Sequence, residues 1–305
     1  METPYAGVIP WYFRARGRVT RRASAATPRE FRLWARNADQ GVTEPSSAWL
    51  PVDCHAHTTF SDGQLTVDEL IERARDRKAR PSVSDHVSSY MDSALTTVDE
   101  VRAYLDELEQ YDVFRGGEFC WHDTLWREIP DDLARRFTHR LGSLHGIWLP
   151  NGELVYAFSR RFPNITPDEY MEAHVANLEQ FAREMPVDVL AHPTLLPLSL
   201  RRIPLEELWT EEREERAIVA LAAAGIAFEI SNRYRPHKRF VRRAREAGVR
   251  ISLGSDGHTE QQVADIAFPL SLAREIGIED ENLYDPSRHG SRTGYFASPE
   301  KRMIR

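Results

Sequence analysis

Between Ser47 and His258, short apolar runs alternate with longer segments whose apolar residues recur at helical spacing. The runs are SAWLPVDCHAH (47–57), PSVSDH (81–86), DVFRGGEFCW (112–121), HRLGSLHGIW (139–148), VDVLAHP (187–193), AFEIS (227–231) and RISLGSDGH (250–258), and each reads as a strand. The helices between them have marked ends. Thr66 with Glu69 predicts a capping box ahead of Val67, Leu70, Ile71 and Ala74; Thr97 with Glu100 repeats the pattern, and Thr166-Pro167-Asp168-Glu169 opens another helix. EEREERAIVALAAAG ends at Gly225, where a left-handed cap is expected, and a helix over 236–247 is closed by Gly248. Seven strands interleaved with helices predict parallel pairing through right-handed crossovers. No G-x-G-x-x-G follows any strand, so a closed or nearly closed barrel fits better than an open dinucleotide-binding sheet. Residues 1–48 read as an appended N-terminal arm, 49–281 as the catalytic barrel, and 282–305 as a turn-rich, loosely attached tail.

The polar residues of these runs gather at their C-terminal ends, where barrel enzymes place their chemistry. They are Asp53, His55 and His57, with Asp62 just beyond; Asp85 and His86; Glu118; His145; His192; Glu229; and Asp256 with His258. His-x-His in a strand puts both imidazoles on one face, because side chains alternate with period two. Imidazoles mixed with carboxylates suit Zn, Mn or Fe and leave a site that also takes hard phosphate oxygens. Nine candidate ligands (His55, His57, Asp62, His86, Glu118, His145, His192, Asp256 and His258) are too many for one tetrahedral ion. They suit three divalent ions, with Glu118 bridging and water completing the open positions. Glu118, Asp256 and His258 are the candidate catalytic residues among them. Glu229 reads equally as a metal or substrate contact and as a core carboxylate paired with an arginine. His139, His174, His237 and His289 lie away from the strand ends; His174 reads as a packing or surface residue and His289 as solvated. The runs Glu211–Glu215 and RFVRRAR (239–245) read as exposed helix faces.

The motifs HAHTTFSDG (55–63), SDH (84–86), GGEF (116–119), LGSLH (141–145), LAHP (190–193), FEIS (228–231) and ISLGSDGH (251–258) together resemble the PHP (polymerase and histidinol phosphatase) family, in its histidinol-phosphatase-like branch. The resemblance covers about 210 residues in the family's order. It implies an α/β fold, a distorted seven-stranded (β/α) TIM-like barrel, and a trinuclear centre that hydrolyses phosphoesters by attack of a metal hydroxide. It also implies a first metal on His55, His57, Glu118 and Asp256, a second on Glu118, His145 and His192, and a third on Asp62, His86 and His258. The arm and a 146–166 insertion depart from the pattern. The substrate expected is a small phosphomonoester, histidinol phosphate first among the candidates. A metal-dependent hydrolase of a C–N bond, a PHP-type nuclease and a noncatalytic metal-binding module are the alternatives. Arg160, Arg161, Arg201 or Arg202, and Arg233 or Arg235 are the candidate phosphate-binding residues, since a guanidinium holds phosphate bidentately. Leaving-group protonation falls to a metal-associated acid or to a histidine such as His122.

Composition adjusts this picture in three ways. The net charge of −7 weighs against a nucleic-acid partner, and it is uneven: residues 1–50 hold eight arginines against four acids, leaving −11 on the other 255 residues. No stretch approaches the roughly 18 apolar residues of a membrane helix. The two cysteines, Cys54 and Cys120, sit in apolar runs, as inert core thiols in a reducing cytoplasm would. Oligomeric state is not encoded in any pattern of the chain.

Overall fold

A computed structural model describes residues 49–291; the predicted arm over 1–48 and the chain from 292 onward lie outside them. In order, the elements are α1 (Val67–Asp76), β1 (Ser82–Val83), β2 (His86–Val87), α2 (Val98–Leu108), β3 (Phe114–Arg115), β4 (Glu118–Cys120), α3 (Leu125–Glu128), α4 (Asp131–Ala134), β5 (Leu141–Ser143), β6 (Gly146–Trp148), β7 (Leu154–Tyr156), α5 (Pro167–Glu184), β8 (Val189–Leu190), α6 (Leu205–Leu208), α7 (Glu211–Ala224), β9 (Ala227–Ser231), α8 (Lys238–Glu246), β10 (Ile251–Gly254), α9 (Ala267–Glu275) and α10 (Pro286–His289). The helix signals act as expected. Capping boxes close at Thr66/Glu69 and Thr166/Glu169, Thr97 caps α2, and Gly225 ends α7 at φ 65°. Each cap contributes about 1 kcal/mol.

The fold is mixed α/β with a mainly parallel sheet. Six strands run in the order β10-β9-β8-β5-β4-β2, every pair parallel, beside a parallel β1–β3 pair and an antiparallel β6–β7 hairpin. Register already places chemistry: His86 on β2 lies directly opposite Glu118 on β4. Beneath the strand ends Val52, Cys54, Leu141, Val189, Ala191, Ala227 and Tyr284 form one buried apolar layer. Both cysteines are free and buried, and burial pushes the Cys54 thiol up. Among the described residues no helix is long and apolar enough to cross a membrane.

Four expectations change. The 47–57 run does not form a regular strand; Val52 and Ala56 make only isolated parallel bridges, to Arg80 and Gly257. Its amides and carbonyls serve two neighbours in turn. Cys54 and His57 donate to the carbonyls of Leu253 and Gly257, while Arg80 and Ser84 donate to those of Pro51 and Ala56. The ladder breaks because Asp256, opposite, takes a left-handed φ of 52°. HRLGSLHGIW divides into β5 and the first strand of the hairpin, with Gly146 packed on the His122 ring. The two charge runs are not simply exposed. Glu214 is wholly buried and meets His237 at 2.5 Å, Arg239 at 3.0 Å and Arg243 at 3.3 Å, joining α7 to α8.

The last correction concerns the described part of the segment after Asn282, residues 283–291, which packs onto the body rather than forming a loose tail. Leu283, Tyr284 and Asp285 are buried, Tyr284 N donates to Ile251 O at 2.7 Å, and Asp285 pairs with Arg80. His289 is half-buried there, its Nδ1 accepting from Asp285 N at 3.0 Å. Burial pushes the Asp285 carboxyl up, but hydrogen bonds from Arg80 and Ser287 outweigh it and hold it down at about 2. A depressed carboxyl stabilises the fold above its ordinary pKa, and that contribution is lost as pH falls toward about 2. Arg80→Ala should therefore cost about 1–3 kcal/mol at neutral pH by leaving a buried acceptor short of its donor. The gap from wild type should narrow between pH 4 and pH 2 in chemical unfolding; a constant gap would contradict the pairing.

Candidate metal centre

Glu118 sits at the middle of the strand ends with no exposed surface. Its Oε1 lies 2.9 Å from His192 Nε2 and 3.2 Å from His145 Nε2; its Oε2 lies 2.7 Å from His86 Nδ1, 3.4 Å from His55 Nε2 and 3.7 Å from His57 Nε2. Asp256 Oδ1 faces the same pair from the other side, 3.6 Å from His57 Nε2 and 3.9 Å from His55 Nε2. Asp62 Oδ1 lies 3.4 Å from His86 Nε2 and 3.3 Å from His258 Nε2. Ligand-type atoms converge in three overlapping groups: His55, His57 and Glu118; His86, Glu118 and His145; and His57, Asp62, His86 and His258. His86 thus faces Glu118 through one ring nitrogen and Asp62 through the other, whereas the family pattern sets it beside Asp62 alone.

Local sequence holds these groups in place. The Asp62 loop hangs on buried Asp85, which accepts from Thr58 N at 2.8 Å, Thr58 Oγ1 at 2.6 Å and Ser61 Oγ at 2.5 Å. Gly63 is required there, since a Cβ would strike the His57 main chain. His192 and Asp256 have φ values of 30° and 52°, in the left-handed region that costs a non-glycine residue roughly 1–3 kcal/mol. Asp53 braces the turn around Asp256 by accepting from Ser255 N at 2.8 Å, Ser255 Oγ at 2.6 Å and Ala264 N at 2.9 Å. Glu229 pairs with His55 Nδ1 at 2.9 Å and accepts from His192 N, so it is neither arginine-paired nor among the convergent ligand atoms. The strand-end reading contained Asp53 and Asp85 but gave them no role; their donors lie in loops that strand periodicity does not place.

These side chains fit divalent cations. His55 Nε2, both ring nitrogens of His57, Asp62 Oδ1, His86 Nδ1 and Glu118 Oε2 are buried without an aligned hydrogen bond, even where an opposing atom is within 3 Å. Such orphaned polar atoms are costly unless something coordinates them. The electrostatics agree. Burial pushes Glu118 up, but His145, His86 and His55 hold it well below the usual carboxylate range; Asp62 and Asp256 are likewise held down by neighbouring histidines. Against burial, Glu118 raises His86 and His145 to about 9, while burial and the adjacent His258 and His86 push His57 down to about 3. Protons on imidazoles therefore balance the carboxylates in the protein alone, and bound cations would take their place.

The candidate arginines separate. Arg233 Nη1 lies 3.7 Å from Asp256 Oδ1 and 3.1 Å from His258 Nδ1. Arg201 lies 5.4 Å from the centroid of Tyr234, whose ring in turn meets His192 edge-on at 5.4 Å. Arg235 turns away: it bonds the Asn232 carbonyl and stacks 4.3 Å over Phe268. Arg160 and Arg161 are exposed on the loop after β7, and Arg202 is exposed after Arg201. His122 is buried beside Tyr156, with both ring nitrogens unpartnered. Burial, with the charge of His145, pushes it down to about 4. Of the remaining histidines, His139 contacts Ser82 Oγ and Cys54 O, His174 is buried in α5, and His237 pairs with Glu214, all away from the cluster.

No protein-family model matches the chain. It is 25% identical over 244 residues to an uncharacterized protein of Methanocaldococcus jannaschii, covering 78% of this chain and 94% of that one. It is 22% identical over 243 residues to the DNA polymerase/3'-5' exonuclease PolX of Bacillus subtilis, spanning 76% of this chain but only 38% of PolX. Among solved structures it shares its fold with histidinol phosphate phosphatase from Lactococcus lactis, determined with Zn, L-histidinol and phosphate. The TM-score is 0.59 at 17% identity, covering 75% of this chain and 94% of that one. A putative histidinol phosphatase of Listeria monocytogenes gives a TM-score of 0.58 at 14% identity, over 72% and 98% of the two chains. Both solved neighbours are named as histidinol phosphatases, the second putatively, and what they share with this chain is the fold.

Because His86 and His145 hold protons up to about pH 9 through Glu118, cations must displace protons from them. Zinc binding should release protons at pH 7, and zinc affinity should rise steadily from pH 6 to pH 9. Calorimetric titrations in buffers of different ionisation enthalpy measure both; a pH-independent affinity without proton release would contradict the electrostatics.

Proposed function

We propose that the chain is a metal-dependent phosphoesterase that hydrolyses a small phosphomonoester, with a histidinol-phosphate-like molecule the leading substrate. The observation that carries the reading is the convergence of five imidazoles on buried Glu118, with His258, Asp62 and Asp256 beside them and orphaned ligand-type atoms among them. We assign three divalent ions of Zn, Mn or Fe to it, on His55, His57, Glu118 and Asp256; on Glu118, His145 and His192; and on Asp62, His86 and His258. The architecture we read as a distorted seven-stranded barrel. The bonds of 51–57 to both the 80–84 segment and the 253–257 segment support closure, with 52–57 as the seventh member.

When bound, such ions supply a water-derived nucleophile at neutral pH and Lewis acidity toward phosphoryl oxygens. The protein's own residues do the rest. Glu118 and Asp256 fix the spacing of the ligand sets, with His258 held by Asp256 O, which accepts from its Nδ1 at 2.9 Å. Arg233, at the rim, is placed to neutralise a phosphate oxygen, with Arg201 behind Tyr234 as the second cation. Arg160 and Arg161 stand exposed on the loop after β7, and Arg235 is engaged with Asn232 and Phe268.

The likeness to PolX is the observation that favours a second reading, cleavage of a nucleic-acid phosphodiester, but a net charge of −7 weighs against a nucleic-acid strand. Metal-reconstituted protein should release phosphate from a panel of phosphomonoesters, L-histidinol phosphate included, and Asp256→Asn should lose both bound metal and activity. Arg233→Ala should raise KM roughly 10- to 100-fold, the value of one charge-assisted hydrogen bond. Cleavage of single-stranded DNA without phosphomonoesterase activity would favour the second reading, and release of phosphate by neither route with Zn, Mn or Fe would overturn the first.

A further inference from the structure

We propose that Glu229 is a positioning residue that sets the tautomer of His55 and the backbone of His192 together, so that both rings present Nε2 to Glu118. The inference rests on the metal-centre reading above. Glu229 is wholly buried on β9, and among the described residues its one ion-pair partner is His55. Both of its oxygens are engaged: Oε1 with His55 Nδ1 at 2.9 Å, and Oε2 with His192 N at 2.5 Å. A carboxylate only accepts, so Nδ1 of His55 must carry a proton, which leaves Nε2 as the nitrogen open to a cation. That Nε2 is the buried, unbonded atom 3.4 Å from Glu118 Oε2. The other oxygen holds the amide of His192, whose backbone sits at φ 30° and whose Nε2 lies 2.9 Å from Glu118 Oε1. Gly254 on β10 keeps the space clear, because a Cβ there would overlap the Glu229 carboxylate. One acidic side chain thus orients two imidazoles on opposite oxygens of Glu118.

Glutamine has the same shape but one acceptor and one donor group. If its oxygen keeps the His192 amide, its NH2 faces His55 Nδ1 and drives that proton onto Nε2, the atom turned toward Glu118. If it turns over, two donors meet at His192.

The test compares zinc affinity of wild type and Glu229→Gln by competition with a chromogenic chelator, alongside unfolding of both proteins in EDTA. The expected result is 10- to 100-fold weaker zinc binding with little change in unfolding without metal. In a His55→Ala background the same substitution should cost clearly less, which a merely structural role would not produce. Wild-type zinc affinity in Glu229→Gln, or an equal loss in the His55→Ala background, overturns the inference while leaving the metal centre standing. Wild type that binds no zinc overturns the metal-centre reading, and the inference with it. Should Glu229→Gln fail to fold in EDTA, the nitrogen-15 spectrum of zinc-loaded wild type decides: a proton on His55 Nδ1 is expected, and a proton on Nε2 overturns the inference.

Discussion

A carboxylate with no solvent exposure, Glu118, has five imidazole nitrogens within 3.7 Å of its two oxygens. A buried charge of this kind is unstable unless opposite charge is fixed around it, and those imidazoles come from four separate segments. The parallel sheet exists in a form that meets this demand. Strand β4 delivers Glu118 with β2 on one side, in the register that puts His86 opposite it, and β5 on the other. His145 and His192 follow β5 and β8 by two residues each, and His55 and His57 come from a segment that bonds to both of its neighbours without joining a ladder. Loss of the carboxylate would leave these rings without a common acceptor; loss of a ring would leave the carboxylate uncompensated.

Positioning that many groups around one point exceeds what regular strands can do, and the backbone yields at His192 and Asp256. The strain is held in place by buried carboxylates that stand behind the ligand-type atoms. Asp53 accepts from the turn around Asp256, Asp85 from the loop carrying Asp62, and Glu229 from the amide of His192. All three are buried. The acidity of the body therefore has two parts, an inner set facing possible cations and an outer set that shapes the turns, and only the first shares charge directly with a ligand.

Much of this was legible in the chain. The capping pairs at Thr66/Glu69 and Thr166/Glu169 and the stop at Gly225 are local signals, and local hydrogen bonds realise them. The nine strand-end residues were legible because period two and the strand-end rule depend on position within a run. What escaped depends on contacts between distant segments. The 47–57 run looks like a strand in isolation, but its pairing is set by the kink at Asp256 some 200 residues on. Glu214 looks solvated within its run, yet three cationic or imidazole groups of α8 and its approach bury it. The 283–291 stretch looks like part of a tail because its turn residues hide that Tyr284 joins the apolar layer and that Leu283, also buried, bridges to Ile251. The arginines divided for the same reason: Arg233 and Arg235 are two apart in sequence, and one faces Asp256 while the other stacks on Phe268.

The central claim, that the strand ends form a polynuclear metal centre organised by Glu118, is tested most directly by anomalous scattering from crystals of protein purified without chelator. The account predicts up to three transition-metal peaks, two of them in contact with Glu118 and one beside Asp62 and His258. Data of adequate strength with no peak within coordination distance of Glu118, from protein given zinc, manganese and iron, would contradict it.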